Sequence, residues 1–271
     1  MIRVGPAGIP LAMKGKGYRE ALEYCRKIGL DALEVQYVRG VKMGRDVALK
    51  LKDYSKEFDV KLSCHAPYFI NLCGDKTTIK KSQQRIIETC EIGSLYNAEL
   101  AVVHPAYYGK LSREEANKMV IKAINEIADK CPIPIGIETM GRQSQVGPVE
   151  DVLKIVRETG QRIVVDWAHI HARCAGCLKT KEDFTRILSL IEDELGSSAL
   201  KNLHQHFTQV QYSPSGDEKK HLVFEEGDLN FRFLAEALKE YNVSGVIISE
   251  SPILEEDAVK FKKILREYGL S

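Results

Sequence analysis

Short runs of β-branched and aliphatic residues alternate along the chain with longer stretches in which apolar residues recur every three or four positions. The short runs predict strands over Ile2–Gly5, Ala32–Gln36, Lys61–His65, Leu100–His104, Ile133–Glu138, Arg162–Asp166, Asn202–Thr208 and Gly245–Glu250. Between them, helical faces gather Ala116, Met119, Val120, Ala123, Ile124 and Ile127, and later Leu254, Ala258, Phe261, Leu265 and Tyr268. Runs such as IVV from Ile163, IPIGI from Ile133 and VIIS from Val246 are apolar nearly throughout. Strands of that kind belong to a parallel sheet covered on both faces. Repeated β-then-α units in this number predict an α/β fold, the (β/α)8 TIM barrel. The alternative is an open doubly wound sheet. Such a sheet usually carries a glycine-rich phosphate loop after its first strand, and GPAGIPLAMKG from Gly5 has no GxGxxG spacing.

Length and composition narrow this picture. A chain of 271 residues with 44% apolar content suits one barrel, so residues 1–271 are read as a single domain. No run approaches the length of a membrane span and the first residues lack a signal-peptide core, which predicts a cytoplasmic protein with no membrane partner. The net charge of +1 gives no bulk basic field for nucleic acid. Phosphates would have to be met by a local basic patch or by metal ions. The seven cysteines are odd in number and scattered, unlike a secreted disulfide framework. The one CxxC, CAGC from Cys174 to Cys177, is half of a structural zinc site without its second pair, and two reduced thiols are expected there.

The chemistry collects where a barrel keeps its active site, at the C-terminal ends of the strands. The predicted strands three to eight end on or hold His65, His104, Glu138, Asp166, His206 with His204, and Glu250. Six consecutive strands thus bring an imidazole or a carboxylate to one rim. Carboxylates packed together without counterions raise one another's pKa, and divalent cations relieve that repulsion. Mixed imidazole and carboxylate donors favour zinc, with manganese as the other candidate, over calcium or magnesium. No Ser/His/Asp or Cys/His nucleophile constellation stands out.

The pieces HAPYFINL from His65, HP at His104, IETMGRQ from Glu138, DWAH from Asp166, HF at His206, HLVFEEGD from His221 and SES around Glu250 resemble the endonuclease IV family. That family lies within the wider xylose-isomerase-like barrel superfamily, and the likeness runs through nearly the whole chain. It implies a TIM barrel binding two or three metal ions, usually zinc, that hydrolyses the phosphodiester 5′ to an abasic site during base excision repair. By the same resemblance His65, His104 and Glu138 hold one metal, and Glu138, Asp166, His206 and Glu250 a second. His169 and His221 hold a third, together with an aspartate two residues before the latter histidine. Lys219 stands at that position, with Asp217 and Glu218 beside it. Glu138 would bridge two metals and orient or deprotonate the attacking water, leaving a 3′-hydroxyl and a 5′-deoxyribose phosphate. The implied partner is double-stranded DNA with abasic sites, met by a monomer through Tyr68, Gln36, Tyr37 and Arg39. Gln143 is a weaker candidate, and Arg39, Lys42, Arg45 and Lys110 are candidates for phosphate contacts.

Two other readings stand beside this one. A sugar isomerase or epimerase on the same barrel needs Glu138, Asp166, His206 and Glu250 around one metal, and Glu34 and the proline-rich first loop suit it. It has no need of His65 and His104 as ligands. A metal-binding regulatory protein without catalysis draws support only from Lys219. His204 reads as a core histidine beside the ligands, and His171 as a loop histidine that binds nothing.

Overall fold

The computed structural model describes residues 1–271. Eight parallel strands form the barrel wall: β1 (Ile2–Pro6), β2 (Ala32–Gln36), β3 (Lys61–His65), β4 (Ala101–Val103), β5 (Ile135–Glu138), β6 (Arg162–Asp166), β7 (Leu203–Phe207) and β8 (Gly245–Ser249). Each pairs in parallel with its neighbours in chain order from β2 to β8, and β8 pairs with β1. The remaining seam, between β1 and β2, closes through a single bridge, Ala7 to Glu34. Two bonds to Asp31 support it: its N–H donates to the Val4 carbonyl at 3.0 Å and its carboxylate accepts from the Val4 N–H at 2.9 Å. Gly5 is required at this seam for space, because a Cβ there would lie 1.8 Å from the Ala32 carbonyl oxygen.

Nine helices surround the wall: α1 (Tyr18–Lys27), α2 (Arg45–Phe58), α3 (Lys76–Leu95), α4 (Arg113–Asn125), α5 (Val149–Thr159), α6 (Trp167–Arg173), α7 (Lys181–Leu195), α8 (Phe231–Glu240) and α9 (Glu255–Glu267). Their apolar faces and the outward strand residues make a core of 61 buried side chains. This layer contributes most of the hydrophobic stabilisation. It leaves the barrel axis free for polar side chains at the C-terminal rim. No helix is long and apolar enough to cross a membrane.

The eight expected strands are all present, with ends adjusted by a residue or two. β4 stops at Val103, and His104 lies just beyond it, where Pro105 cannot donate to the ladder. In α9, Leu254 is the N-cap at φ 38° and not part of the helical face, and Ile127 lies past the end of α4. Two antiparallel pieces at the rim have no counterpart in the sequence reading. Gln209–Tyr212 pairs with Glu218–Leu222, and Ala106–Tyr107 pairs with Gln145–Val146. Both bear on the site.

Candidate metal centre

Asp166 shows how the local sequence builds the centre. It ends β6 and is also the N-cap of α6, where one carboxylate oxygen accepts from the His169 N–H at 2.6 Å. The DxxH spacing therefore has a local cause, because the capping bond fixes His169 on the first turn with its ring over the rim. The other oxygen, Oδ2, is buried with no hydrogen-bond partner in the protein. Burial raises the Asp166 carboxyl to about 7, with Glu250 and Glu138 adding to the rise against the opposing pull of His169. A buried acid with a free oxygen among other acids is the arrangement a cation relieves.

Glu138, at the end of β5, is the hub. It is fully buried, and one oxygen lies 3.3 Å from His65 Nε2 and 2.9 Å from His104 Nε2. The other lies 3.1 Å from His206 Nδ1 and 3.4 Å from His169 Nδ1. Burial works against its charge, but the surrounding imidazoles, His104 and His206 foremost, hold its carboxyl well below the usual range. His206 Nδ1 also faces Glu250 at 3.5 Å and Asp166 at 3.9 Å.

Three donor sets result, each with its ligating atoms within 4.8 Å of one another: His65, His104 and Glu138; Glu138, Asp166, His206 and Glu250; and His169, Glu218 and His221. The first two share Glu138. The donor chemistry fits zinc or manganese, and the unpartnered Asp166 oxygen lies within the second set.

The third set answers the question raised by Lys219. Across the rim hairpin, Gln211 pairs with Lys220 but Tyr212 pairs with Glu218, so Lys219 is the extra residue of a bulge. The bulge turns Lys219 into solvent and moves Glu218 onto the face of His221. Glu218 then lies 3.3 Å from His221 Nε2 and 3.4 Å from His169 Nε2. Burial opposes its charge, yet the hydrogen bond from His221 and the charge of His169 bring it down to about 2. Gly141 leaves room for this set, since a Cβ there would lie 3.0 Å from both Glu218 and His169.

Beneath the centre, Glu34 accepts from His206 Nε2 at 3.4 Å and from His204 Nε2 at 2.9 Å, and takes further bonds from Ser63 at 2.8 Å and Gln36 at 3.0 Å. His204 Nδ1 reaches Glu99 at 2.7 Å, and Glu99 meets Lys61. Glu34, His204 and His206 form a further cluster with metal-like spacing. With a carboxylate on each ring nitrogen, His204 is an ion-paired strut, and Glu34 aims His206 Nδ1 at the second set. The sequence placed His204 correctly as a core histidine but gave Glu34 no part in this support. His171 is corrected from a loop residue: it is buried on α6 and bonds Asp228 at 3.1 Å, away from all three sets.

A cavity of about 270 Å³ opens over the sets, walled by Tyr68, Tyr107, Arg142 and Gln145 as well as by donors. A larger groove of about 740 Å³ lies beyond it along Ile170, Arg173 and the cysteines, and the three donor sets take no part in its walls. Tyr68 is 42% exposed, with its ring 5.3 Å from those of His65 and His104. Arg39, Lys42, Arg45 and Lys110 are exposed. Tyr37 is corrected: it is 5% exposed, and its hydroxyl meets that of Tyr96 at 3.1 Å inside the core. Gln36 is half-buried with its amide on Glu34. The Gln143 amide donates to the carbonyls of Arg173 at 2.7 Å and Gly216 at 2.9 Å, so it braces the rim from within. Cys174 and Cys177 form a disulfide, where two thiols were expected. Ala175 and Gly176 take left-handed conformations at φ 53° and 93°, which turn the chain back so that the sulfurs meet.

The sequence profile of the xylose isomerase-like TIM barrel matches residues 22–268. The chain belongs to the xylose isomerase-like TIM barrel family. An uncharacterised protein of Methanocaldococcus jannaschii is 35% identical over 98% of both chains. Endonuclease IV from Thermus thermophilus superposes with a TM-score of 0.72 at 20% identity, covering 94% of this chain and 96% of that one. A D-tagatose 3-epimerase-like protein superposes at 0.70 with 25% identity, covering 92% and 91%. The xylose isomerase-like barrel is thus shared by nuclease and epimerase neighbours, and the donor sets must separate them.

Proposed function

We propose that this chain is a metal-dependent endonuclease of the endonuclease IV type, hydrolysing the DNA phosphodiester 5′ to an abasic site. The observation that carries the proposal is the sharing of Glu138 between two donor sets, with a third set alongside. A single-metal sugar epimerase uses Glu138, Asp166, His206 and Glu250. It leaves His65, His104, His169, Glu218 and His221 without a task. The epimerase reading keeps one specific support, the 25%-identical D-tagatose 3-epimerase-like neighbour.

Clustered divalent cations, with zinc the first candidate and manganese the second, supply Lewis acidity and a water nucleophile near neutral pH. The chain's own part is geometric. Glu138 is placed to orient the attacking water through the oxygen it presents between His65 and His104. Glu34 fixes the His206 ring, and the capping bond at Asp166 fixes His169. Tyr68 at the mouth and the exposed Arg39 are assigned to the duplex.

The test is incubation of the metal-loaded protein with a duplex oligonucleotide carrying one abasic site. Incision 5′ to the lesion, with a 3′-hydroxyl end, is the expected result. Epimerisation of a ketohexose without incision would assign the site to the rival.

A further inference from the structure

The loop after Glu138 carries a cation that the protein leaves free. Arg142 is exposed on the wall of the 270 Å³ cavity that contains His104, His169, Glu218 and Glu250. Its guanidinium has no ion pair and no hydrogen bond to any other residue. The neighbouring arginines are engaged: Arg173 donates to the carbonyls of Met140 at 3.2 Å and Gln145 at 3.1 Å, and Arg113 pairs with Asp151 at 2.7 Å. Glu218 turns its two oxygens to His169 and His221 and feels the charge of Arg142 without forming an ion pair with it.

While the Arg142 side chain is free, its backbone is held from several sides. The Arg142 carbonyl accepts from the Gln145 N–H at 3.0 Å, and the Gly141 carbonyl from the Glu218 N–H at 3.2 Å. The Gln143 N–H donates to Asp217 at 2.9 Å, and the Met140 N–H to the Gly147 carbonyl at 3.0 Å. A long cationic side chain on a fixed backbone, beside a group of acids, is placed to receive an anion that comes to those acids' metals. A second observation marks the same wall. Gln145 is 5% exposed, and its side-chain oxygen is buried with no partner. It is an acceptor available to a ligand hydroxyl.

We propose that Arg142 is a phosphate-binding residue that selects a phosphorylated substrate, its guanidinium taking non-bridging oxygens of the phosphate presented to the donor sets. The planar fork of an arginine suits two phosphate oxygens at once. A neutral sugar offers it only uncharged hydroxyl acceptors, which bind it more weakly than an anion does. The inference rests on the phosphodiesterase reading and goes beyond it by naming a specificity residue among the walls of the centre.

The test compares metal-loaded wild-type protein with Arg142→Ala and Arg142→Lys. Affinity for inorganic phosphate is measured by calorimetry, incision by steady-state kinetics at several salt concentrations, and metal content by mass spectrometry. Arg142→Ala is expected to weaken phosphate binding and raise KM about 10- to 100-fold with metal content unchanged. The salt slope should fall by about one. Arg142→Lys should recover part of the loss. A wild-type protein that incises abasic DNA, with an Arg142→Ala variant equal to it in phosphate affinity and KM, overturns the inference and leaves the nuclease reading standing. Loss of phosphate binding in Arg142→Ala, with no incision by the wild type, supports the inference and removes the nuclease reading.

Discussion

Replacing Gly141 by alanine isolates the third donor set from the other two. The backbone at Gly141 lies outside the left-handed region, so alanine meets no conformational penalty there. Its Cβ would stand 3.0 Å from Glu218 Cβ, Glu218 Oε2 and His169 Cδ2. Carbon contacts settle near 3.5–4.0 Å, so Glu218 and His169 must each retreat by roughly half an ångström. Metal–ligand distances tolerate about 0.2 Å. Affinity for one metal equivalent should therefore fall about 10- to 100-fold, or about 1.4–2.7 kcal/mol. The fold should change less. Crowding costs about 1–3 kcal/mol, offset by about 0.4–1 kcal/mol from the stiffer unfolded chain. Chelator competition against the loaded protein reads the loss, and a thermal melt reads the fold. If every equivalent binds as in wild type, or if all are lost together, the separate third set is refuted.

Three other substitutions probe the rest of the centre. Glu138→Gln removes the shared carboxylate and should lower incision about a thousandfold or more while circular dichroism stays unchanged, and near-wild-type activity would remove Glu138 from the mechanism. Glu34→Ala takes away the acceptor on His206 Nε2, so metal retention against a chelator should weaken about 10- to 100-fold, and unaltered retention would deny Glu34 its positioning role. Glu99 reports on the buried strut. Burial works against its charge, but His204 and Lys61 hold its carboxyl down to about 2 from 4.5. A lowered folded-state pKa gives stability that is fully present above about 4.5 and is lost as the pH falls through about 2, to the extent of about 3 kcal/mol. Denaturant melts should show the gap between wild type and Glu99→Gln closing across that window, and a constant gap would contradict the assignment.

The barrel and most of its donors were legible because their signals are local. Strand runs end where an inward polar residue appears, and barrel geometry brings those ends together. The DxxH element was read through the family resemblance, and the capping bond of Asp166 is the local cause that the structure adds. The third carboxylate was left open between Asp217 and Glu218 because the choice depends on pairing. Only the bulge between Tyr212 and Glu218 decides that Glu218, and not Lys219, faces His221. Tyr37 misled because it follows the last residue of β2 in chain order while its side chain turns back into the core against Tyr96. Glu34, His204 and Glu99 lie far apart in sequence and meet only along the barrel axis. The disulfide depended on a left-handed turn at Ala175, a conformation that alanine does not advertise.

The donor sets differ in how firmly the barrel wall fixes their residues. Glu138, Asp166, His206 and Glu250 come from β5, β6, β7 and the residue after β8, so they are fixed by the wall itself. Of the additional donors, His65 ends β3 and is fixed by the wall as well, whereas the others come from places the wall fixes less firmly. His104 lies just past the short β4, His169 on a seven-residue helix, and Glu218 and His221 on a hairpin outside the barrel. Loops can change while the wall is kept. A one-metal centre would survive loss of the hairpin, whereas a three-metal centre requires its bulge, the space at Gly141 and the bonds that hold the loop carrying Arg142. In this chain all three are present, and they converge on the mouth of one cavity.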